Sequence, residues 1–202
     1  MDFYITGSNM DFLELVKQRR SVRKYDERPL SREQAEQILQ AAVYAPSGGN
    51  NQSSHFFVIQ DQECIQRLTK IALRAFAQMQ IEEGMYPSLA STIRRAQNGG
   101  YDFTYGAPML VLAANRRGYG NAMADCALAM ENMFLQATAM GLGSCYINQF
   151  HWLTEEETVL QALYALGMKE EELICAGGVF GYPAGQPLPP LKRFGNTITY
   201  IR

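Results

Sequence analysis

Phe12, Leu15, Val16 and Arg19 recur at helical spacing and predict a first helix from about Asp11 to Arg20. A second begins at Ser31, where Ser31-x-x-Gln34 makes a capping box, with Ala35, Ile38, Leu39, Ala42 and Val43 as its buried stripe. Pro46 and the Gly48-Gly49 pair stop it. The apolar run Phe56 to Ile59 predicts a short buried strand within His55 to Gln60. A helix from about Gln62 to Met79 follows, with Ile65, Leu68, Ala72, Ala75 and Phe76 facing inward.

Residues 80–106 lose this periodicity and are expected to be irregular, with glycines, Pro87 and four aromatics (Tyr86, Tyr101, Phe103, Tyr105). Pro108 leads into a strand from Met109 to Ala114. Asn121 to Met140 reads as a long helix with Ala, Met and Leu on nearly every face, which predicts burial all round, in the centre of the fold or at a subunit interface. Gly141-Leu142-Gly143 ends it, and Ser144 to Ile147 and Leu173 to Phe180 are further strands. Between those strands, Thr154-x-x-Glu157 is expected to cap a helix ending near Gly167. The tail carries Pro183, Pro187, Pro189 and Pro190, which keep it extended to a last stretch, Thr197 to Ile201, like an arm laid over a surface. Strands alternating with helices predict a helix-covered sheet.

With 202 residues the chain is read as one domain, 1–202, with an extension over residues 1–10 and the arm over 183–202. A formal net charge of -2 supplies no general field for nucleic acid or an anionic membrane, so any anion must be held by a local arrangement. Cys64, Cys126, Cys145 and Cys175, with His55 and His151, show no metal-ligand spacing. No basic-then-apolar signal segment opens the chain and the run Ala107 to Ala114 is too short to span a bilayer, so reduced thiols in the cytoplasm are expected.

Gly141-x-Gly143 follows a helix and lacks a third glycine, and Gly118-x-Gly120 has Met123 in the third place, so neither is a dinucleotide fingerprint. Two other segments carry chemistry. Arg19, Ser21 and Arg23 alternate where the first helix gives out, and in an extended segment they project to one side. Two guanidinium forks with a hydroxyl between them suit a phosphate. Taken alone, the segment reads more simply as a solvated basic helix end complementing the helix dipole. The loop Ala45-Pro46-Ser47-Gly48-Gly49-Asn50-Asn51-Gln52 lets backbone approach a flat ligand, and Asn50 and Gln52 can both donate and accept. Alone, it is an ordinary helix-to-strand turn.

Together, Arg-Arg-Ser-Val-Arg-Lys-Tyr at 19–25 and Ala-Pro-Ser-Gly-Gly-Asn-x-Gln at 45–52 resemble the nitroreductase family of FMN enzymes. Asp125-Cys126-Ala127, Gly141-Leu142-Gly143-Ser144-Cys145, Gly181-Tyr182-Pro183 and Lys192-Arg193 extend the resemblance in order over residues 11–201. It implies an α+β fold, a three-layer α/β/α arrangement with a mixed, largely antiparallel central sheet, as a homodimer with FMN at the subunit interface. Arg19, Arg20, Ser21 and Arg23 match the segment contacting the phosphate, the ribityl chain and the pyrimidine side of the ring. Pro46, Ser47 and Asn50 match the loop reaching the other subunit's flavin. Tyr146, Ile147, Asn148 and Gln149 fall along the isoalloxazine, with a backbone N–H, that of Asn148, aimed at N5. Arg193, and with it Lys192, matches the late cation of the phosphate site.

The implied reaction passes a hydride from NADH or NADPH through FMN to a nitroaromatic, quinone or similar small acceptor, with no essential side-chain acid or base. Relatives that fragment flavin, dehalogenate or dehydrogenate, and a non-catalytic FMN-binding protein, are the alternatives. This chain departs from the family pattern at Ser53-Ser54, where Pro and an aromatic are common, and at Asn148-Gln149, where an acidic residue and glycine are common. Trp152, Cys145 and the methionines of the long helix read as packing.

Overall fold

A computed structural model describes residues 11–186 and 188–202, so the expected extension over residues 1–10 lies outside the described residues. Four strands form one sheet in the order β1 (His55–Ile59), β2 (Met109–Arg116), β4 (Glu172–Gly181), β3 (Gly143–Ile147). Every pairing within it is antiparallel, and parallel geometry is confined to an isolated bridge between Ser21 and Ser144. The parallel part of the expected mixed sheet is thus a single bridge.

The pleat divides the core in two. Leu110, Leu112 and Ala114 of β2 point into one cluster, while Met109, Val111 and Ala113 point into the other. The first is closed by α3 (Gln62–Gln78), α4 (Pro87–Asn98), α6 (Gln149–Trp152) and α7 (Glu157–Tyr164); the second by α2 (Arg32–Val43) and α5 (Ala122–Ala139). Helices on both faces of a sheet make the three layers expected from the sequence. Gly178 of β4 lets α5 approach closely, since a Cβ there would lie 2.7 Å from Met130 Sδ and 2.9 Å from Phe134 Cε1.

Local signals set most helix ends. The Ser31 capping box is formed in full. The first helix, α1 (Phe12–Gln18), stops short of the expected Arg20, because Arg19 takes an extended conformation at φ -58° and ψ 123°. Thr154 does not cap α7; the Glu156 carboxylate does, accepting from the N–H groups of Thr158 and Val159. The short α6 had no periodic signature of its own.

The larger correction lies in 80–106. Pro87 starts α4 at the first helical position, where its missing N–H costs nothing, and Thr92 and Ile93 are buried. Nor is α5 buried all round, for Met123 and Leu128 are exposed, as are Val43 of α2 and Val58 of β1. Residues 191–202 are exposed and carry no regular secondary structure.

Far from these elements, a polar clasp closes the sheet. Glu172, buried at the start of β4, places Oε2 3.0 Å from His55 Nδ1 and accepts from the Lys169 N–H at 3.0 Å. Burial pushes its carboxyl up, but the Lys169 N–H and His55 outweigh it and hold the group below its ordinary value. A depressed carboxyl contributes stability above its unfolded value of about 4.3, lost as pH falls through the folded value. Glu172→Gln is therefore expected to lower stability by about 1–3 kcal/mol at neutral pH and to differ less from the parent on acidification. Urea unfolding between pH 3 and 7 checks this; a gap constant across that range would contradict it.

Candidate functional site

Beyond α1 the chain runs extended beside β3. The Val22 N–H donates to Ser144 O at 2.8 Å, and the Tyr25 hydroxyl donates to Val22 O at 2.8 Å. On its other side, Asp26 N–H donates to Tyr182 O and Ala184 N–H to Lys24 O. Gly143 makes the approach possible, because a Cβ there would lie 2.8 Å from Val22 Cγ2 and 2.9 Å from its Cβ. The Ser144 hydroxyl beside this segment is buried without a hydrogen-bond partner among the described residues.

Arg19, Ser21 and Arg23 all lie near the buried thiol of Cys145, but the cleft beside this segment is lined by Ser21 and Arg23 and not by Arg19. Burial pushes that thiol up, against Arg23, Ser21 and Arg19, so it stays protonated and serves as an apolar filler. Arg19 Nε lies 3.3 Å from Glu131 Oε1 of α5. Burial raises the Glu131 carboxyl and Arg19 opposes that rise. Arg23 lies near the Tyr105 hydroxyl, whose oxygen favours the guanidinium charge against the cost of its partial burial. Tyr105 sits at φ 57°, an unusual conformation for a bulky residue. Asp102 builds that turn by accepting from Thr104 N–H, Thr104 Oγ1 and Gly106 N–H at 2.7, 2.6 and 2.8 Å.

Arg20, Ser21, Arg23 and Lys24 line a cleft of about 750 Å³ with Leu142 and Pro183, and the Arg20 guanidinium donates to Pro189 O. Arg20, Arg23 and Lys24 bring three cations to the lining of this cleft, in a chain whose formal net charge is -2.

The Ala45–Gln52 loop lies elsewhere. Gly49, Asn50 and Gln52 all take positive φ (60°, 55° and 49°), a strained run held by three anchors. Ser47 Oγ accepts from the Gln52 N–H at 3.0 Å, and the buried Asp125 accepts from the Gly48 N–H at 3.0 Å. Ser53 Oγ donates to the buried Asn115 Oδ1 at 2.9 Å. Pro46 and Ser47 line a cleft of about 150 Å³ that shares no residue with the first. One chain does not bring Arg19–Arg23 and Pro46–Asn50 together.

Tyr146 is half exposed, with its ring edge against Phe134, and Ile147 is buried in the first core. Asn148 turns the chain into α6 at φ -106° and ψ -4°, and Gln149 is buried. N–H groups at such a turn have no intrahelical partner and remain available as donors. Lys192 and Arg193 are exposed and line neither of these two clefts. Trp152 packs edge-on to Phe76 and Tyr86, as expected of a core aromatic. Glu131, Asp102 and the role of Tyr105 were missed from sequence. Asp102-x-Thr104 was a readable turn signal, whereas Glu131 on a helix face carried none.

Among the described residues no group of three His, Cys, Asp or Glu side chains could hold a metal, and no helix is long and apolar enough to cross a membrane. The profile of the Nitroreductase family matches residues 16–182. A relative from Archaeoglobus fulgidus, named "Putative NADH dehydrogenase/NAD(P)H nitroreductase", is 30% identical over 171 residues, 85% of this chain and 84% of the relative. The crystal structure of a nitroreductase with bound FMN from Bacteroides fragilis superposes with a TM-score of 0.86 at 32% identity, covering 96% of this chain and 100% of that one. A second nitroreductase with bound FMN, from Desulfitobacterium hafniense, gives a TM-score of 0.77 at 25% identity, with 96% and 100% covered.

Proposed function

The chain belongs to the Nitroreductase family, and from that premise we propose that it is an FMN-dependent oxidoreductase taking a hydride from NADH or NADPH. The oxidant is a nitroaromatic, a quinone or a related small acceptor. The observation that carries this reading is the cationic cleft beside β3, built by Arg20, Ser21, Arg23 and Lys24 in a chain of slight negative charge. Its volume of about 750 Å³ falls in the range of cofactor sites. The residues present fit FMN.

When bound, FMN supplies the hydride chemistry at N5. Arg19, Arg20 and Ser21 would hold the phosphate and ribityl chain, and Lys192 and Arg193, which line neither cleft within one chain, are assigned to the phosphate by the family resemblance alone. Arg23 would set a positive charge at the pyrimidine edge and so favour the reduced flavin. The Asn148 N–H, at the turn into α6, would be the donor to N5. No side-chain acid or base is assigned, and nicotinamide and acceptor would use one place in turn, as the family resemblance implies.

The site is completed by a second copy of the chain, whose Pro46, Ser47 and Asn50 reach the flavin. Support comes from the separation of the two clefts within one chain and from exposed apolar side chains, among them Phe12, Tyr44, Met123, Leu128 and Phe194. The four buried free thiols fit a cytoplasmic protein.

A visible spectrum of the purified protein, followed by anaerobic addition of NADH or NADPH, tests the reading. Yellow protein bleached by a nucleotide and recoloured by a quinone is the expected result. Colourless protein after incubation with FMN would overturn it, as would bound FMN that no nucleotide reduces.

A further inference from the structure

The pairing of β2 with β4 carries one irregularity. Ala113 pairs with Ala176, but the next residue, Ala114, pairs with Ile174, which leaves Cys175 as the extra residue of a β-bulge. Alternation breaks there: Ile174 enters one core cluster, while Cys175 and Ala176 both enter the other. Cys126 of α5 packs against this bulge. Its Sγ lies 3.7 Å from Ala114 O, and Cys175 Sγ lies 3.6 Å from Leu173 O. Helix and bulge thus bring two free thiols side by side, each acting on the other's proton. Cys64 and Cys145 belong to the cluster on the opposite face of the sheet.

A buried cysteine commonly serves as a small apolar filler, as Cys145 does. The surroundings of Cys126 are polar instead. Ser54 Oγ lies 3.7 Å from Cys126 Sγ and accepts from Asn115 Nδ2 at 3.4 Å. Ser54 also lines the cleft of about 150 Å³ shared with Pro46 and Ser47, so one hydroxyl separates that cleft from the sulfur. The Cys175 thiol, with Ser54 and Asn115, holds Cys126 below the ordinary thiol value against the effect of its burial. Cys126, helped by burial, pushes Cys175 up, so Cys175 keeps its proton. The thiol nearer the cleft is therefore the one that ionises.

We propose that Cys126 and Cys175 are a modification site that hydrogen peroxide, entering by the smaller cleft, converts to a reversible disulfide. The Cys126 thiolate attacks one peroxide oxygen and the O–O bond breaks. A sulfenic acid forms, and the departing hydroxide takes up the proton released by the Cys126 thiol to leave as water. Cys126 then no longer carries the negative charge that held the Cys175 proton. The Cys175 sulfur attacks the Cys126 sulfur, the S–O bond breaks, and the leaving hydroxide takes the Cys175 proton as a second water. Two thiols give up two electrons and one peroxide takes them. A dithiol reductant reverses the bond by exchange. The cross-link ties α5 to β4 one residue beyond Asp125, whose carboxylate accepts from the Gly48 N–H. None of this depends on the proposed FMN site.

The test treats the full chain with hydrogen peroxide, blocks the remaining thiols with N-ethylmaleimide in denaturant and maps the peptides by mass spectrometry. Loss of two of the four thiols is expected, with a Cys126–Cys175 peptide pair joined at the cost of two hydrogens and with Cys64 and Cys145 still free. Dithiothreitol should restore all four. In Cys175→Ala, which lacks the second sulfur, dimedone is expected to label Cys126 as the sulfenic acid; in Cys126→Ala, Cys175 should stay reduced. The parent protein alone decides the matter if a variant does not fold. Four thiols that all stay reduced, a cross-link that involves Cys64 or Cys145, or oxidation of all four at one rate, the mark of an opened chain, would overturn the proposal.

Discussion

Replacing Arg19 and Arg23 together by alanine is expected to weaken FMN binding by about 10²- to 10⁴-fold. Each charge-assisted hydrogen bond contributes about 1.5–3 kcal/mol, and two lost together correspond to that range. The two arginines are not equivalent. Arg19 shares its charge with Glu131, whereas Arg23 lies near the Tyr105 hydroxyl. Arg19→Ala should therefore weaken FMN more than riboflavin, which lacks the phosphate, and Arg23→Ala should weaken both. Fluorescence titration of apoprotein with the two flavins measures this, with circular dichroism as the check on folding. Unchanged FMN affinity in a folded double variant would refute the assignment of this segment to the cofactor.

What the sequence revealed about this site, and what it hid, follows from how local each signal is. The Ser31 capping box, the β1 run and the inward stripe of α3 depend on neighbours in sequence, and all three are where the pattern put them. The α4 helix was lost because Pro87 and Gly99-Gly100 bracket it; both residues mark its ends, and reading them as breakers erased what lay between. The hydrophobic surround of α5 misled in the opposite sense. Apolar residues on every face do not say whether this chain or another covers them, and Met123 and Leu128 are left uncovered here. Alternation of Arg19, Ser21 and Arg23 was legible, since it needs only an extended backbone. The Glu131 and Tyr105 contacts join residues 112 and 82 positions away, and no periodicity reports such a pairing.

Asp125→Ala is expected to lower the melting temperature by about 5–15 °C. The carboxylate is buried, its Oδ1 accepting from the Gly48 N–H at 3.0 Å and its Oδ2 lying 3.0 Å from the Tyr119 hydroxyl. Alanine leaves the amide without its acceptor and the hydroxyl with only Gly48 O, 3.2 Å away. The cost is about 2–4 kcal/mol, and a domain of this size loses roughly 2–4 °C per kcal/mol. Asp125→Asn keeps an oxygen for the Gly48 N–H and should recover about half the loss. The same contact anchors the loop in which Gly49, Asn50 and Gln52 take positive φ, a conformation that costs free energy at the two non-glycine positions and persists only where its surroundings impose it. Freed from Asp125, that loop should relax and no longer present Asn50 to the partner's flavin. FMN affinity should then fall in the alanine variant although Asp125 lies near the smaller cleft and not the cationic one. A melting temperature within about 1 °C of the parent would show that the carboxylate does not anchor the loop. A large loss of stability with FMN affinity intact would remove the Pro46–Asn50 loop from the cofactor site.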